Sequence, residues 1–354
     1  MPHVVATATG FPPHYYSQAE ISTALQELWA QQGVNPARVA RLHENTTVEG
    51  RHIAVPKEEY YPLRGWEGPN AIFARLAVDL GEQVLTELFD AAGLGAADVG
   101  LLAFASTTGI AIPTIDARLM NRLPFRTGTK RLPLFGLGCV AGAAGVARVN
   151  DYLLGHPAEA AVLLAEEFCS LTIQKHDVSI ANLIACGLFG DAAGAVLLVG
   201  DEHPLAGAPG AVAVVATRSV FFPDSGHYMG WEIKETGMQV LLSADVPEAS
   251  RTTLSAEIAA FLAEHGLGVG DVGRWISHPG GPKVIEALEA GLGLGDAALL
   301  RSREVLRAVG NVSSVSVLLI LDAVLREEPP EPGTWGLMLA MGPGFVAELV
   351  LLRW

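Results

Sequence analysis

Hydrophobic and polar positions follow two periods along the chain, and the alternation of these periods predicts strands and helices in turn. Short apolar runs bounded by turn residues, such as GLLAFAS at residues 100–106, are typical of buried parallel strands. Apolar residues at helical spacing lie between such runs. The predicted strands cover residues 4–8, 100–106, 131–135 and 161–165, and the predicted helices cover residues 18–31, 71–94 and 140–154. The alternation predicts an α/β fold.

Two segments with the same pattern close the two halves of the chain. Residues 189–200 (FGDAAGAVLLVG) and 341–352 (MGPGFVAELVLL) each place glycines before an apolar strand. Each half also carries a helix rich in small residues after a turn, at Cys139 in the first half and at Asn311 in the second. We therefore expect a duplicated fold with halves 1–205 and 206–354, the boundary lying near residues 201–211.

Composition and charge narrow the class of protein. The chain has 354 residues, of which half are hydrophobic and 17% charged, so we expect a large buried core and an oligomer that covers part of the surface. A formal net charge of −15 opposes binding to nucleic acid and to anionic membranes. Three cysteines, an odd number, argue against a disulfide framework. With no signal-peptide pattern and no run of ~18 apolar residues, we expect a cytoplasmic protein without a membrane span.

Cys139 is the first residue that suggests chemistry. It lies in LPLFGLGCVAGAAG, where a strand turns through glycines into a helix of small residues. At the first turn of that helix the dipole and free backbone N–H groups would favour the thiolate. A buried structural cysteine is the alternative. A dinucleotide-binding loop fits less well, because the glycine spacing departs from the fingerprint by one residue.

His278 and Asn311 lie at two further turns. His278 ends a predicted strand before a Pro-Gly-Gly turn, a position where α/β folds place functional groups. Asn311 precedes a predicted helix that runs to about residue 325. A satisfied structural histidine and an asparagine N-cap are the alternatives. A cysteine nucleophile, however, needs a base and a polarising partner that are distant in sequence, and these two residues supply both.

The segments GLGCVAGAAG, ISHPGGPKVIEAL, VGNVSSVSVLLILD and WGLMLAMGPGFVAEL resemble the chalcone-synthase-like type III polyketide synthases, in the same order and over nearly the whole chain. The resemblance implies a homodimer with a thiolase-like fold, in which two duplicated βαβαβ-type halves form five αβαβα layers. It also implies a catalytic triad of Cys139, His278 and Asn311, with Phe189 of the Phe-Gly-Asp motif as gatekeeper. It implies no metal and no cofactor, since the substrates are the coenzyme A (CoA) thioesters acyl-CoA and malonyl-CoA.

The roles that the resemblance implies agree with the chemistry of the residues. Cys139, as a thiolate paired with a His278 imidazolium, would take the acyl starter from CoA. His278 and the Asn311 amide would stabilise the enolate formed when malonyl-CoA loses carbon dioxide, at ~3–4 kcal/mol per hydrogen-bond donor. The enolate would then attack the Cys139 thioester.

Because the protein is acidic overall, the positive charges that bind the CoA phosphates must be clustered at one place on its surface. Arg38 and Arg41 match basic positions of the family's CoA tunnel, whereas Asn45 stands where the family has a lysine. The full set of candidates for CoA binding is Arg38, Arg41, Arg51, Lys283, Gly280 and Gly281. For each arginine, an ordinary solvated charge is the alternative.

The substrate pocket carries departures from the family pattern. The pocket positions besides Phe189 are Thr108, Ile112, Thr172, Val240, Ser313 and Met341. Val240 replaces a second phenylalanine, Ile112 replaces a methionine that reaches across the dimer, and Met341 belongs to the loop before the last strand. Thr172 stands where tetrahydroxynaphthalene-type enzymes tend to carry a cysteine. This pattern is similar to that of long-chain alkylpyrone and alkylresorcinol synthases, so we expect a medium- or long-chain acyl starter.

Three other functions are the alternatives. One is a type III synthase that uses a small starter or malonyl-CoA itself, as tetrahydroxynaphthalene-type enzymes do. An initiating ketoacyl synthase shares the Cys-His-Asn chemistry, but its histidine motif usually reads His-Gln-Ala-Asn, whereas His278-Pro-Gly-Gly stands here. A non-catalytic acyl-binding protein would not need Cys139, Phe189, His278 and Asn311 together.

Overall fold

Nine strands form one mixed sheet that passes through both halves of the chain, and a computed structural model describes all of residues 1–354. The strands are β1 His3–Gly10, β2 His14–Ser17, β3 Gly50–Ile53, β4 Val99–Ser106, β5 Lys130–Phe135, β6 Ala160–Phe168, β7 Asp191–Val199, β8 Val212–Phe221, β9 Met229–Lys234, β10 Gly237–Leu242, β11 Val272–Ser277, β12 Trp335–Gly342 and β13 Val346–Arg353. The helices are α1 Gln18–Ala30, α2 Pro36–Glu44, α3 Glu67–Ala92, α4 Ile115–Leu119, α5 Ala141–Leu154, α6 Ile180–Leu188, α7 Val246–Ala249, α8 Ser255–Glu264, α9 Pro282–Leu292, α10 Leu300–Val309 and α11 Ser316–Glu327.

The strand order shows the duplication. Across the sheet it reads β11-β12-β13-β8-β1-β7-β6-β4-β5, so β8 and β1 meet at the centre. Outward from that centre β13 corresponds to β7, β12 to β6 and β11 to β4, while β5 has no counterpart. The two segments with the shared sequence pattern thus lead into equivalent strands, β7 and β13. The central pair is short, with only His3 opposite Ala213 and Val4 opposite Val212.

Three hydrophobic cores separate five layers. One core packs α3 against one face of the N-terminal strands, and another packs α8 and α9 against the C-terminal strands. The third core lies between the two sets of strands and contains α5 and α11 together. The order α3, strands, α5 with α11, strands, α8 with α9 is the αβαβα arrangement, so the expected fold is confirmed.

Two predicted boundaries move. Helix α3 begins at Glu67, before the predicted start at residue 71, and contains Pro69 in its first turn. Proline is tolerated in a first helical turn, because its missing N–H would have no helical partner there. Strand β6 continues through Glu166 and Glu167 to Phe168 and is buried throughout, beyond the apolar run that predicts it.

The middle layer positions the functional residues. Helices α5 and α11 each begin after a short 3₁₀ turn, Gly138–Val140 and Ser313–Val315 respectively. Gly142 allows these two starts to touch, because a Cβ at this position would lie 2.2 Å from the Ser314 carbonyl oxygen. No helix in the structure combines the length and apolar character that crossing a bilayer requires.

Candidate active site

Cys139 lies in the 3₁₀ turn that leads into α5. The preceding Gly138 has φ +55°, a left-handed conformation that favours glycine, and its N–H donates to Thr107 Oγ1 at 2.9 Å. The Cys139 thiol is half-buried and donates to Ser313 Oγ, with Sγ and Oγ 3.6 Å apart. The nucleophile of the N-terminal half thus touches the turn that opens α11 in the C-terminal half.

Asn311 is held by backbone contacts to the gatekeeper segment. Its N–H donates to the Leu188 carbonyl at 2.9 Å, its carbonyl accepts from Gly190 N at 3.0 Å, and it therefore pairs with Phe189 as an isolated bridge. Its side-chain amide donates to the Gly280 carbonyl at 3.3 Å. Asn311 is not the N-cap residue of the following 3₁₀ turn or of α11, positions held by Val312 and Val315. Its side-chain oxygen nevertheless accepts from Ser313 N at 2.8 Å, so Asn311 keeps the capping role that the alternative describes while its amide nitrogen faces the Gly280 turn.

His278 follows β11 directly. Its backbone N–H donates to the Leu339 carbonyl on β12 at 2.9 Å, which continues the parallel pairing of these strands. The side chain is 2% exposed, and its Nδ1 is buried without a hydrogen-bond partner. Structural histidines usually pair such an atom within the protein, so this arrangement favours the functional interpretation over the structural one.

The three residues belong to one cluster of turns. Ser313 accepts from Cys139, and its own N–H donates to Asn311 Oδ1 at 2.8 Å. Asn311 in turn reaches the Pro-Gly-Gly turn through Gly280, whose N–H donates to the His278 carbonyl at 3.1 Å. The structure therefore brings together Cys139, His278 and Asn311 from three segments that are far apart in sequence.

Glu167 is a site residue that sequence reasoning misses. Its buried carboxylate accepts from Thr107 N at 3.0 Å and Thr108 Oγ1 at 2.9 Å, and from Ser314 Oγ at 2.7 Å and Ser313 Oγ at 3.3 Å. Ser313 is therefore fixed between Glu167 and the Cys139 thiol. Two adjacent acidic residues that extend an apolar run were the available signal.

Burial favours the neutral forms of Cys139 and His278. It raises the pKa of Cys139 to about 12, against the hydrogen bond to Ser313, and the charge of Glu167 raises it further. Burial also lowers the pKa of His278 to about 3. Both shifts oppose a thiolate–imidazolium pair, which only the attraction between the two charges would stabilise, and the resting pair stays a prediction.

Two cavities lie beside the cluster, and Thr172 lines both. The larger one, of about 390 Å³, is lined by both apolar and polar groups, and its polar residues include Thr108, Gln174 and Asp177. The smaller one, of about 110 Å³, is mostly apolar and is lined by Phe189 and Val240, among others. The shared lining residues are Tyr60, Thr172, Ile173 and Lys175.

Thr172 lies in the 3₁₀ turn Cys169–Thr172 rather than on a strand, and its hydroxyl donates to the Cys169 carbonyl at 2.7 Å. A β-branched residue at this position could simply fill a strand edge, but Thr172 does not lie on a strand. Ile112 is 89% exposed and lines neither cavity of its own chain. Met341 lines neither cavity either, and it packs in the C-terminal core where Ser250 Oγ donates to its Sδ at 3.4 Å. Its position does not support its assignment to the pocket.

Arg51 is not available to bind CoA. It is 1% exposed, and its guanidinium donates to the carbonyls of Cys186 and Gly187. The polar stretch around it suggests an exposed residue, but Arg51 lies on β3 and its buried side chain reaches the end of α6. This candidate is therefore withdrawn.

The other cationic candidates are exposed. Arg38 and Arg41 lie on α2 with Asn45 directly after it, and spacings of three and four residues place them along one helix face. Neither arginine makes an ion pair within the chain. Lys283 is exposed in the first turn of α9, next to Gly281, the residue preceding that helix, and to Gly280. No group of three His, Cys, Asp or Glu side chains is placed to hold a metal ion.

Comparison with known proteins places this arrangement in a family. The family model for the N-terminal domain of chalcone and stilbene synthases matches residues 2–202, and the model for their C-terminal domain matches residues 213–354. The 1,3,6,8-tetrahydroxynaphthalene synthase of Streptomyces peucetius subsp. caesius is 48% identical over 351 residues, which cover 99% of this chain and 93% of the relative. The phloroglucinol synthase of Pseudomonas fluorescens is 30% identical, over a match that covers 100% of this chain and 98% of the relative.

A solved structure agrees. The 1,3,6,8-tetrahydroxynaphthalene synthase of Streptomyces coelicolor A3(2), described as a bacterial type III polyketide synthase, superposes with a TM-score of 0.91 at 30% identity, over 99% of both chains. Matches across the full length exclude the ketoacyl synthase and acyl-binding alternatives. The chain therefore belongs to the chalcone and stilbene synthase family and is a type III polyketide synthase, an enzyme of decarboxylative condensation.

Proposed function

We propose that this enzyme primes itself with malonyl-CoA and condenses further malonyl units into a small polyhydroxylated aromatic product of the tetrahydroxynaphthalene type. The observation that supports this most is the 48% identity to a tetrahydroxynaphthalene synthase over 99% of the chain. The α-pyrone synthase-like protein Pks18 of Mycobacterium tuberculosis is only 27% identical. This proposal replaces the expectation, based on Thr172 and Val240, of a medium- or long-chain acyl starter.

The cavities support the proposal. A chain built only from malonyl units carries a carbonyl at every second carbon, and polar residues such as Thr108, Gln174 and Asp177 in the cavity of about 390 Å³ could bind such carbonyls. That volume falls within the range typical of ligand pockets, whereas about 110 Å³ in the apolar cavity lies below it. Thr108 connects the larger cavity to the nucleophile through Glu167 and Ser313.

Loading begins with a neutral thiol and a neutral imidazole. As the thioester carbonyl approaches, the Cys139 proton passes to His278 and Sγ attacks the carbonyl carbon, after which CoA leaves as the thiol. The protonated imidazole then gives its proton to the departing CoA sulfur. Ser313, fixed by Glu167, holds Sγ in place through this step.

Decarboxylation then uses His278 and Asn311 as hydrogen-bond donors. Loss of carbon dioxide from malonyl-CoA leaves an enolate oxygen, and donors aimed at it lower the barrier by ~3–4 kcal/mol each. The backbone bridge between Asn311 and Phe189 ties this donor to the gatekeeper. The enolate carbon attacks the Cys139 thioester, and the lengthened chain returns to Cys139 for the next cycle.

The CoA phosphates bind Arg38 and Arg41 in this proposal, with Lys283 near the Gly280–Gly281 turn. The two arginines supply positive charge without competing carboxylate partners in the chain. We also propose a homodimer in which Ile112, at 89% exposure, packs into the partner. Removing so large an apolar side chain from water favours such a contact.

The test is product analysis by mass spectrometry, with the purified protein given malonyl-CoA alone and then malonyl-CoA with acyl-CoA starters of increasing length. The expected result is an aromatic product made only of malonyl carbons, formed without any added starter. Products that appear only with long acyl starters, as alkylpyrones, would overturn the malonyl-primed proposal. In that case the apolar cavity beside Phe189 and Val240 would be the starter site.

A further inference from the structure

A second buried carboxyl group lies close to the cavities and takes no part in the steps above. Asp191 is the acidic residue of the Phe-Gly-Asp motif and begins β7, where it is fully buried opposite Phe168. Ser170 lines the apolar cavity, and Tyr60 lines both cavities. Each of these three residues comes from a different segment of the chain.

The three residues form a directed chain of hydrogen bonds. Ser170 Oγ donates to Asp191 Oδ2 at 2.5 Å, and Ser170 N donates to Asp191 Oδ1 at 2.8 Å. Because that serine proton is committed to Asp191, Tyr60 is the donor in its 2.5 Å contact with Ser170 Oγ. Ala54 N also donates to Ser170 Oγ at 3.2 Å. Every hydroxyl proton therefore points from the cavity wall towards the buried carboxylate.

We propose that Tyr60, Ser170 and Asp191 form a proton relay that serves ring closure of the tethered polyketide chain. The proposal rests on the proposed function, since it needs a poly-β-keto chain in the cavity that Tyr60 lines. Tyr60 is the catalytic residue, because it faces the substrate, and Ser170 and Asp191 act through it. The relay is separate from Cys139, His278 and Asn311, which perform loading and chain extension.

The proposed proton transfers and bond formation need no added reagent. A methylene between two carbonyls of the bound chain gives its proton to Tyr60 Oη, while the Tyr60 proton passes to Ser170 Oγ and the Ser170 proton passes to Asp191. The carbon left with the electron pair attacks a second carbonyl carbon of the chain, so that a C–C bond forms and the carbonyl oxygen becomes an alkoxide. The same transfers in reverse return the proton from Asp191 to that oxygen.

The surroundings of Asp191 suit a base that works near neutral pH. Burial raises the pKa of Asp191 to about 7, against the hydrogen bonds from Ser170 and the positive charge of Arg51. The other titratable groups that sense its charge are Tyr60 and Cys169, and burial raises the pKa of both. Glu167 is on the neighbouring strand one residue before Phe168, so its side chain points to the opposite face of the sheet. Tyr60 therefore stays a phenol, and Asp191 changes charge near pH 7.

The experiment compares the amount of cyclised product with the amount of CoA released, in the wild type and in Tyr60→Phe, given malonyl-CoA. The expected result is a drop of roughly ten-fold or more in cyclised product per CoA, with linear or lactone products in its place. In the wild type this ratio rises with pH through about 7, because the ionised carboxylate is the active form. In Tyr60→Phe the ratio no longer depends on pH in that range.

Two further variants make the test specific. Tyr15→Phe is the matched control, because Tyr15 is 50% exposed and lines neither cavity, and it keeps the wild-type ratio. Ser170→Ala breaks the relay while leaving both ends in place and is expected to behave like Tyr60→Phe. An unchanged ratio and an unchanged pH profile in both Tyr60→Phe and Ser170→Ala would overturn the relay. Absence of CoA release by the wild type with any substrate would instead overturn the proposed function.

Discussion

Glu167 in the N-terminal half and His278 in the C-terminal half are both buried beside the reacting centre, but their surroundings differ. Glu167 accepts four hydrogen bonds, whereas His278 Nδ1 has none. The first arrangement fixes the position of the nucleophile through Ser313. The second leaves the imidazole without a protein partner at Nδ1. One of these two residues therefore fixes the position of the thiol, and the other carries no such hydrogen-bond constraint.

The largest expected effect comes from changing His278, whose Nδ1 has no hydrogen-bond partner in the protein. His278→Ala should lower product formation about 1,000-fold or more, because both proton transfer and an oxyanion donor are lost. Its free energy of unfolding should change by no more than about 2 kcal/mol, since no hydrogen bond to the imidazole is broken. Steady-state kinetics and urea unfolding measure the two effects. A loss of stability above that value would show that His278 has a structural role after all.

A change at Glu167, which accepts four hydrogen bonds, should instead have its main effect on stability. Glu167→Ala leaves three hydroxyl groups and one N–H without their acceptor, each at about 1–3 kcal/mol. We expect a loss of at least about 3 kcal/mol in the free energy of unfolding, measured by urea denaturation. Glu167→Gln is the matched control, because its amide oxygen still accepts hydrogen bonds. Equal stability of Glu167→Ala and the wild type would contradict the assigned role.

Charge at Glu167 gives a smaller and more specific effect. Because the carboxylate raises the pKa of the Cys139 thiol, Glu167→Gln should lower that pKa and speed alkylation of Cys139 by iodoacetamide several-fold at pH 8. In the wild type the rate should keep rising with pH without a plateau below about pH 11. Mass spectrometry of the Cys139 peptide measures both. A plateau near neutral pH would instead indicate a resting ion pair with His278.

The smallest expected effect on activity concerns the neighbour of Glu167. Glu166 is buried with both carboxyl oxygens unpartnered, and burial followed by the charge of Glu167 raises its pKa well above the usual range. The folded state therefore holds a proton that the unfolded chain releases above about pH 4.5, so stability should fall as the pH rises, by up to ~1.4 kcal/mol per pH unit. Urea unfolding between pH 5.5 and 7.5 should show a shallower slope in Glu166→Leu. An identical slope would place the proton elsewhere.

The sequence predicts the fold well because its apolar runs and its helical spacings fall on strands and helices that the structure contains. Buried strands such as β4 and the small-residue helix α5 have no competing interpretation, and the glycines before Cys139 mark its turn. Family motifs add the layer order, which periodicity cannot supply. What sequence reasoning misses is the buried charge: Glu167 ends an apolar run, and Arg51 lies in a polar stretch, so both look exposed. Only the tertiary fold provides the hydrogen-bond partners that make their burial possible.

The product was the weakest prediction, for a related reason. Thr172 and Val240 are small, and small residues favour a long pocket when considered singly. In the structure Val240 lines only the smaller cavity, while Thr172 lies between both. Cavity shape depends on distant segments, such as the loop of Tyr60 and the turn of Gln174. The sequence alone does not show that these distant segments line the same cavity.

The contact at Gly142 has a consequence for how such enzymes diversify. There the main chain of one half lies directly against the Ser314 carbonyl and the Val317 side chain of the other. The spacing between the turn of Cys139 and the turn of Asn311 is thus set by a close non-bonded contact that involves main-chain atoms on both sides, and side-chain changes elsewhere do not remove it. Cavity walls are then free to vary between relatives while the reacting atoms keep their registration.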